Sequence, residues 1–345
     1  MKTHLLLAVA PCAILALAPH TEAQALFPRR PQPAPYFPPT APGNVTWATL
    51  DPAALGWDAA ATQALFDFLE QTNSRSFVLL QGGKIVLERY FNGADFRSTQ
   101  PVFSVTKSVT ATQLGGLVEQ GLVDLDAPMS TYLGLGWTQA SPLNELQITV
   151  REVAQMTSGL DSSFLPVAAP GTVWFYNTPV YRELLDVFEA VSGLPRAEFT
   201  RQALLDPIGM HDTQYEPGGQ YLLSSGRDLA RFGLLVLRDG RWKSRQLFDP
   251  RWTEEMRTPS QDLNPAYGWL WWINGQDRWV STGGQSGTGP LVPAAPADTT
   301  MALGLGDQKV FVVPSRDWVI VRQGGLTGSS FFNSELWLRI EAAAP

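Results

Sequence analysis

Apolar positions along this chain change period from helix to strand to helix and back. Within 57–71, Ala61, Leu65, Phe68 and Leu69 recur at helical spacing, with Asp58 placed to cap the start. The runs 76–81 and 84–91 are rich in β-formers and are separated by Gly82-Gly83, the pattern of a hairpin. A helix is predicted from about Ser104 to Gln120, where Gly121 ends it. From 122 to 255 short helical patterns follow, joined by glycine and proline turns. They include a capped start at Asp124, a short helix at 149–160 closed by Gly159, amphipathic stretches at 181–192 and 196–205, and a helix at 224–237.

After Pro265 strand signals return at 267–273, 278–281, 300–305, 309–313 and 318–322, and 331–341 reads as a closing helix. Both ends of the chain thus supply sheet and flanking helix, and the middle supplies helices. The pattern predicts an α+β domain over 47–345, with a sheet layer at about 50–100 and 262–345. A mostly helical subdomain is inserted at about 101–261. A cleft is expected where the two layers meet, and Ser104 falls at the first crossing point.

Composition removes several chemistries. The first 25 residues read as a secretory signal: Lys2 and His4, an apolar run from Leu5 to Ala18, then Ala23-Gln24-Ala25. The mature protein is therefore expected to be exported, to the periplasm or outside the cell. Residues 26–46 are crowded with proline and are expected to form an extended, mobile leader. The single cysteine, Cys12, lies within the signal, which excludes disulfides, a cysteine nucleophile and thiolate metal sites from the mature chain. Of three histidines only His211 lies beyond the signal, so a multi-histidine metal site is excluded too, and no metal or cofactor is expected. His211 sits in a turn-like segment after a helix, where a solvated loop residue is the simpler reading than a triad member. A net charge of -7 without a long basic run argues against nucleic acid, and no stretch is long enough for stable membrane insertion. Twelve tryptophans suggest a further feature, since Trp269, Trp271 and Trp272 could form core or line an apolar cleft.

The candidate chemistry lies in Ser104-Val105-Thr106-Lys107. On a helix beginning at Ser104, Lys107 is one turn on and faces the same side. A serine hydroxyl is a weak nucleophile alone. An amine within reach and the positive end of a helix dipole would activate it. Ser-x-x-Lys is by itself a weak motif, because such tetrapeptides recur by chance as exposed helix surface.

Its neighbours make it specific. In order along the chain come Phe103–Ser108, Leu117–Gly121 running into Leu125-Asp126, Ile148–Arg151 through Thr157–Leu160, Pro170-Gly171-Thr172, Asp206–Met210, Ser225–Gly233 and Tyr267–Trp272. Together these stretches resemble the penicillin-recognising serine hydrolases. The likeness is strongest to the branch that holds class C β-lactamases, serine esterases of the same fold and 6-aminohexanoate-dimer (nylon-oligomer) hydrolases. The resemblance runs from about Leu50 to the C-terminus and implies a β-lactamase/transpeptidase-like fold, an antiparallel sheet flanked by N- and C-terminal helices.

It also implies a site. Ser104 would be the nucleophile, with Lys107 as base. The family's Tyr-x-Asn turn matches Tyr176-Asn177-Thr178, with Asn177 one position early and Thr178 where asparagine is usual. Tyr176 would share the acid and base work, which for a tyrosine needs a nearby cation such as Lys107. The Lys-Thr-Gly motif of β-lactamases is missing. In its place 302–308 resembles the glycine-rich strand of the esterases, which implies an oxyanion hole made by the Ser104 and Leu305 amides. Gly304, Gly306, Asn177, Thr178 and Trp174 are expected near the substrate, and the loop 289–297 either covers the cleft or is plain surface. The expected function is that of an exported serine hydrolase cleaving a small ester or amide through an acyl-enzyme on Ser104. Alternatives are a peptidase, transpeptidase or weak β-lactamase on the same site, or a non-catalytic binding protein of this fold.

Overall fold

A computed structural model describes residues 35–345. The secretory-signal reading of 1–25, and the leader residues 26–34, lie outside the described residues. Among the described residues, no helix is long and apolar enough to cross a membrane.

Helix α1 (Ala59–Gln71) starts where Asp58 accepts a hydrogen bond from the Ala61 amide. It is followed by strands β1 (Ser74–Gln81) and β2 (Lys84–Tyr90), whose turn glycines Gly82 and Gly83 both have positive φ, as a tight hairpin turn demands. Phe77 to Leu80 on β1 are fully buried, because β1 is an interior strand. Its second partner comes from the other end of the chain. The remaining strands of this sheet are β3 (Trp272–Ile273), β4 (Thr300–Gly304), β5 (Gln308–Val313) and β6 (Trp318–Gly324). The sheet has six strands in the order β2-β1-β6-β5-β4-β3, all antiparallel. The pairing of β1 with β6 joins the two ends of the chain, as the sequence pattern implied.

Alternation along the strands assigns the helices to faces. Helix α4 (Gly226–Leu237) lies on the face of Val310 and Val319, so close that a Cβ on Gly233 would stand 2.4 Å from Val319 Cγ1. The closing helix α5 (Phe332–Ala343) covers the other face, with Trp337 edge-on to Phe311 at 5.5 Å, and packs beside α1. Helix α2 (Val105–Glu119) contacts β4 and β5, and is buried on nearly every side from Val105 to Gly115. A helix buried all round shows little amphipathic signature, and only its ends were marked in the sequence. Helix α3 (Thr178–Ser192) packs against α2 and begins three residues earlier than its periodicity predicts, because Asn177 caps it.

Two strand expectations need correction. The strand predicted at 267–273 shrinks to Trp272–Ile273, since Gly268 and Leu270 form a tight loop in which Leu270 takes φ 56°. The strand at 278–281 is real as Arg278–Val280, yet it pairs with Ser286–Thr288 in a separate hairpin outside the main sheet. From Pro35 onward the leader runs against the domain and its carbonyls are met by side chains. Arg231 donates to the Pro39 carbonyl at 2.9 Å, Arg227 donates to that of Val45 at 2.8 Å, and His211 Nε2 lies 2.8 Å from the Thr40 carbonyl oxygen. His211 therefore anchors the leader and is not among the residues that line the cleft described next.

Candidate active site

The approach to Ser104 is fixed from both sides. Gln100 and Pro101 pair with Ser224 and Leu223, the Val102 amide donates to the Leu222 carbonyl at 2.9 Å, and the Leu222 amide donates to Thr106 Oγ1 at 3.0 Å. Between these clamps Phe103 is held at φ 46°, a left-handed conformation that an aromatic residue rarely adopts and that marks functional turns. Ser104 then sits at the N-cap of α2, where a serine usually folds its hydroxyl back onto the helix. Here it makes no such cap bond, and the Oγ faces outward into a cleft of about 400 Å³.

Lys107 Nζ lies 3.1 Å from Ser104 Oγ and 3.0 Å from Thr178 Oγ1. The ammonium position is otherwise walled by rings, 4.8 Å from the centre of Tyr176 and 4.5 Å from that of Tyr181. With 2% exposure and only hydroxyl partners, its charged form is poorly solvated. Burial, reinforced by the charge of Arg182, depresses the Lys107 pKa to about 7. The amine can therefore be neutral, and able to accept a proton, near neutral pH.

Tyr176 lines the same cleft and moves the other way. Burial pushes its pKa up to about 12, with the Ser104 hydroxyl opposing in part. At that value the phenol holds its proton near neutral pH and can donate it.

The tyrosine is held by an aromatic wall. Trp272 stacks on it at 6.0 Å, and Tyr267 stands edge-on at 6.0 Å. This explains two residues next to the Ser-x-x-Lys motif. Thr106 receives Leu222, as above, and Ser108 donates to the Leu270 carbonyl at 2.8 Å, which secures the loop that presents Trp272.

The remaining predicted residues divide. Thr178 is brought to Lys107. Asn177 is not brought to the cleft: its amide donates to the carbonyls of Leu160 at 2.9 Å and Asp161 at 3.0 Å, while its oxygen caps α3 at the Val180 amide. Trp174 packs behind the wall, 5.3 Å from Tyr267 and 6.1 Å from Trp272, and does not line the cleft. Of the tryptophan trio only Trp272 faces the cleft; Trp269 packs on Trp252 and Trp271 on Phe232 in the core. Gly304 and Leu305 line the cleft, and Gly306, at φ 72°, forms the turn behind them. In the loop 289–297 Leu291 lines the cleft, and the loop is tied down by Asn274, which bonds the Val292, Ala295 and Pro296 backbone.

Sequence reasoning missed Leu303, Ser281, Thr282 and Asn333, which complete the lining. Ser281-Thr282 precede Gly283-Gly284, a pair whose turn chemistry is legible in the sequence. Asn333 had no signal, because it reaches the cleft only through the docking of α5 on the sheet.

The beta-lactamase family model matches residues 62–321. The D-alanyl-D-alanine-carboxypeptidase/endopeptidase AmpH of Escherichia coli (strain K12) is 26% identical over 174 residues, 41% of this chain and 45% of that protein. Esterase EstB of Burkholderia gladioli is 26% identical over 217 residues, 49% of this chain and 55% of that protein. These matches span about half the length of the curated relatives. Among solved structures, a putative 6-aminohexanoate-dimer hydrolase from Bacillus anthracis superposes with a TM-score of 0.66 at 21% identity, covering 80% of this chain and 81% of that one. A putative beta-lactamase from Bacteroides dorei superposes at 0.68 with 15% identity, covering 83% and 99%, and at such identities the likeness is one of fold. With the family match running across the sheet, the Ser104 helix and the Tyr176 turn alike, the chain belongs to the beta-lactamase family.

Proposed function

We propose that this protein cleaves a small, uncharged ester or amide by acyl transfer to Ser104. The observation that carries the proposal is the Lys107 amine, 3.1 Å from Ser104 Oγ and depressed to a pKa of about 7. A neutral lysine takes the Ser104 proton as Oγ attacks the substrate carbonyl. The carbonyl oxygen becomes an oxyanion, stabilised by the amides of Ser104 and Leu305. Tyr176, protonated and beside Ser104, passes a proton to the leaving alcohol or amine and is recharged from Lys107. Water then attacks the acyl-enzyme by the reverse relay and releases the acid.

The cleft supports the choice of substrate. Tyr176, Trp272, Leu291, Leu303 and Leu305 make it apolar, and none of its lining residues carries a formal charge. A penicillin or a peptide C-terminus brings a carboxylate that would find no cation among them. The likeness to a carboxypeptidase/endopeptidase keeps a peptidase as the second reading; the uncharged lining favours the esterase side. The apolar early segment supports export as part of the same proposal.

Purified protein should hydrolyse p-nitrophenyl butyrate, and Ser104→Ala should lower kcat by several orders of magnitude. Full turnover by Ser104→Ala would reject the mechanism. Faster turnover of nitrocefin than of short esters would move the protein to the β-lactamase reading. Failure of a fluorophosphonate probe to label Ser104 would point to a binding protein.

A further inference from the structure

Strand β4 pairs with the edge strand β3 only at Thr300 and Met301, and beyond that pairing Leu303, Gly304 and the following Leu305 line the cleft. A substrate needs that access. It also means that no strand on the outer side holds Leu305, whose side chain is 65% exposed. Whatever fixes its amide must act from behind, through the turn Leu305-Gly306-Asp307 that leads into β5.

That turn is tied down by a buried polar network. Arg322, fully buried on β6, donates to five acceptors: the carbonyls of Gly306 (3.0 Å), Asp307 (3.1 Å), Gly325 (3.2 Å) and Thr72 (2.6 Å), and Ser74 Oγ (3.0 Å). Gln308 Nε2 donates to the Gly306 and Gly324 carbonyls. Asp307 links the parts. One carboxylate oxygen accepts from Lys309 Nζ at 2.9 Å, and the other accepts from the Thr327 amide at 3.2 Å and hydroxyl at 2.9 Å. Asp307 itself has φ 60°, a conformation tolerated by Asp and Asn better than by most residues. Burial works against ionisation of Asp307, but Lys309 and Thr327 outweigh it and hold the carboxyl below its usual range.

We infer that Asp307 is a positioning residue for the oxyanion side of the site, fixing the Leu305 amide by clamping its turn to Lys309 and to the Thr327 segment. The inference rests on the proposed reaction, in which the Leu305 amide is a donor to the oxyanion. A donor that is displaced loses strength mainly in the transition state, where the charge has formed. Loss of the clamp therefore acts on kcat and leaves ground-state binding in an apolar cleft nearly unchanged.

The test uses Asp307→Ala, Asp307→Asn and the double variant Asp307→Asn/Lys309→Met in the full chain, with p-nitrophenyl butyrate as substrate and thermal melting as the check of folding. Asp307→Ala should lower kcat by about 100-fold with KM within about threefold, the scale of losing one oxyanion donor. The acid limb of the rate, set by Lys107, should stay where it is in the wild type. Asp307→Asn keeps the φ preference and an acceptor for Thr327, and should lose less; it carries the test if the alanine variant does not fold. The double variant should stay as slow as Asp307→Asn. Wild-type kcat in a folded Asp307→Ala protein would overturn the inference, as would recovery in the double variant, which would reduce Asp307 to the counter-ion of Lys309. A wild-type protein without Ser104-dependent turnover would instead overturn the reaction on which the inference rests, and this inference with it.

Discussion

Gly304 lies against the Val102 carbonyl so closely that a Cβ at position 304 would stand 2.3 Å from that oxygen. This contact joins β4 to the residue two places before Ser104, and so constrains the spacing between the Ser104 and Leu305 amides. Real Cβ atoms do not approach a backbone oxygen so closely, and both partners here are backbone, so relief requires β4 to move away from α2. Gly304→Ala should therefore lower kcat on a p-nitrophenyl ester by about 100-fold, the scale of a misplaced oxyanion donor. Unchanged kcat in a folded Gly304→Ala protein would show that the two amides are not a unit.

In the proposed reaction Lys107 sets the pH dependence. With its pKa depressed to about 7, the rate should rise through neutral pH as the amine loses its proton and level off above it. Tyr176, pushed up to about 12, leaves the plateau intact across the working range. A pH profile of kcat/KM on a neutral ester reads this directly, and Lys107→Arg, which cannot deprotonate, should remove the activity. The same burial affects stability. The unfolded chain carries Lys107 at its ordinary pKa, so between about 7 and that value it binds more protons than the folded protein, and stability rises with pH over that window. Lys107→Met should accordingly be more stable than wild type at and below neutral pH, by about 1.4 kcal/mol per unit of depression as an upper scale. The gain should fade as pH approaches the ordinary lysine range, and denaturant melts at two pH values would reveal an opposite trend if the burial argument fails.

The neighbouring pair Asn177 and Thr178 separates structure from chemistry. Asn177→Ala removes a helix cap and leaves the Leu160 and Asp161 carbonyls without their donor. It should cost about 1–3 kcal/mol of stability while the pH profile keeps its shape. Thr178→Val removes one of the two hydroxyls that hold the Lys107 amine and should lower kcat by about tenfold with little loss of stability. The reverse pattern would return Asn177 to the site.

How far the sequence carried depended on whether a role was local. Ser104 and Lys107 were legible because one helical turn brings them together, and the Gly82-Gly83 hairpin because its turn chemistry is contained in two residues. Asn177 was misjudged because the motif it resembles describes a position, whereas its side chain turns toward carbonyls contributed by 160–161. Arg322 and Asp307 were not singled out at all. Their partners come from Thr72, Ser74, Gly325 and Thr327, and only the pairing of β1 with β6 brings those segments together. The leader's contacts were hidden for a related reason: proline content forecasts an extended chain, and cannot show that Arg227, Arg231 and His211 meet its carbonyls.

Charge selectivity gives the sharpest test of substrate class. The cleft is lined by apolar and neutral polar residues, and Lys107, the cation joined to Ser104, has no excess charge to offer once it serves as base. Lys309, directly across from Leu303 on the neighbouring strand, is already paired to Asp307 and buried. A substrate carboxylate in this cleft would give up water without gaining a partner, which costs several kcal/mol. An ester of butyric acid should therefore exceed the ester of an equally long acid ending in a free carboxylate by about 100-fold in kcat/KM, and methylation of that carboxylate should restore most of the loss. Equal rates for the free carboxylate and its methyl ester would mean that a cation does reach the substrate, and would favour the peptidase reading over the esterase.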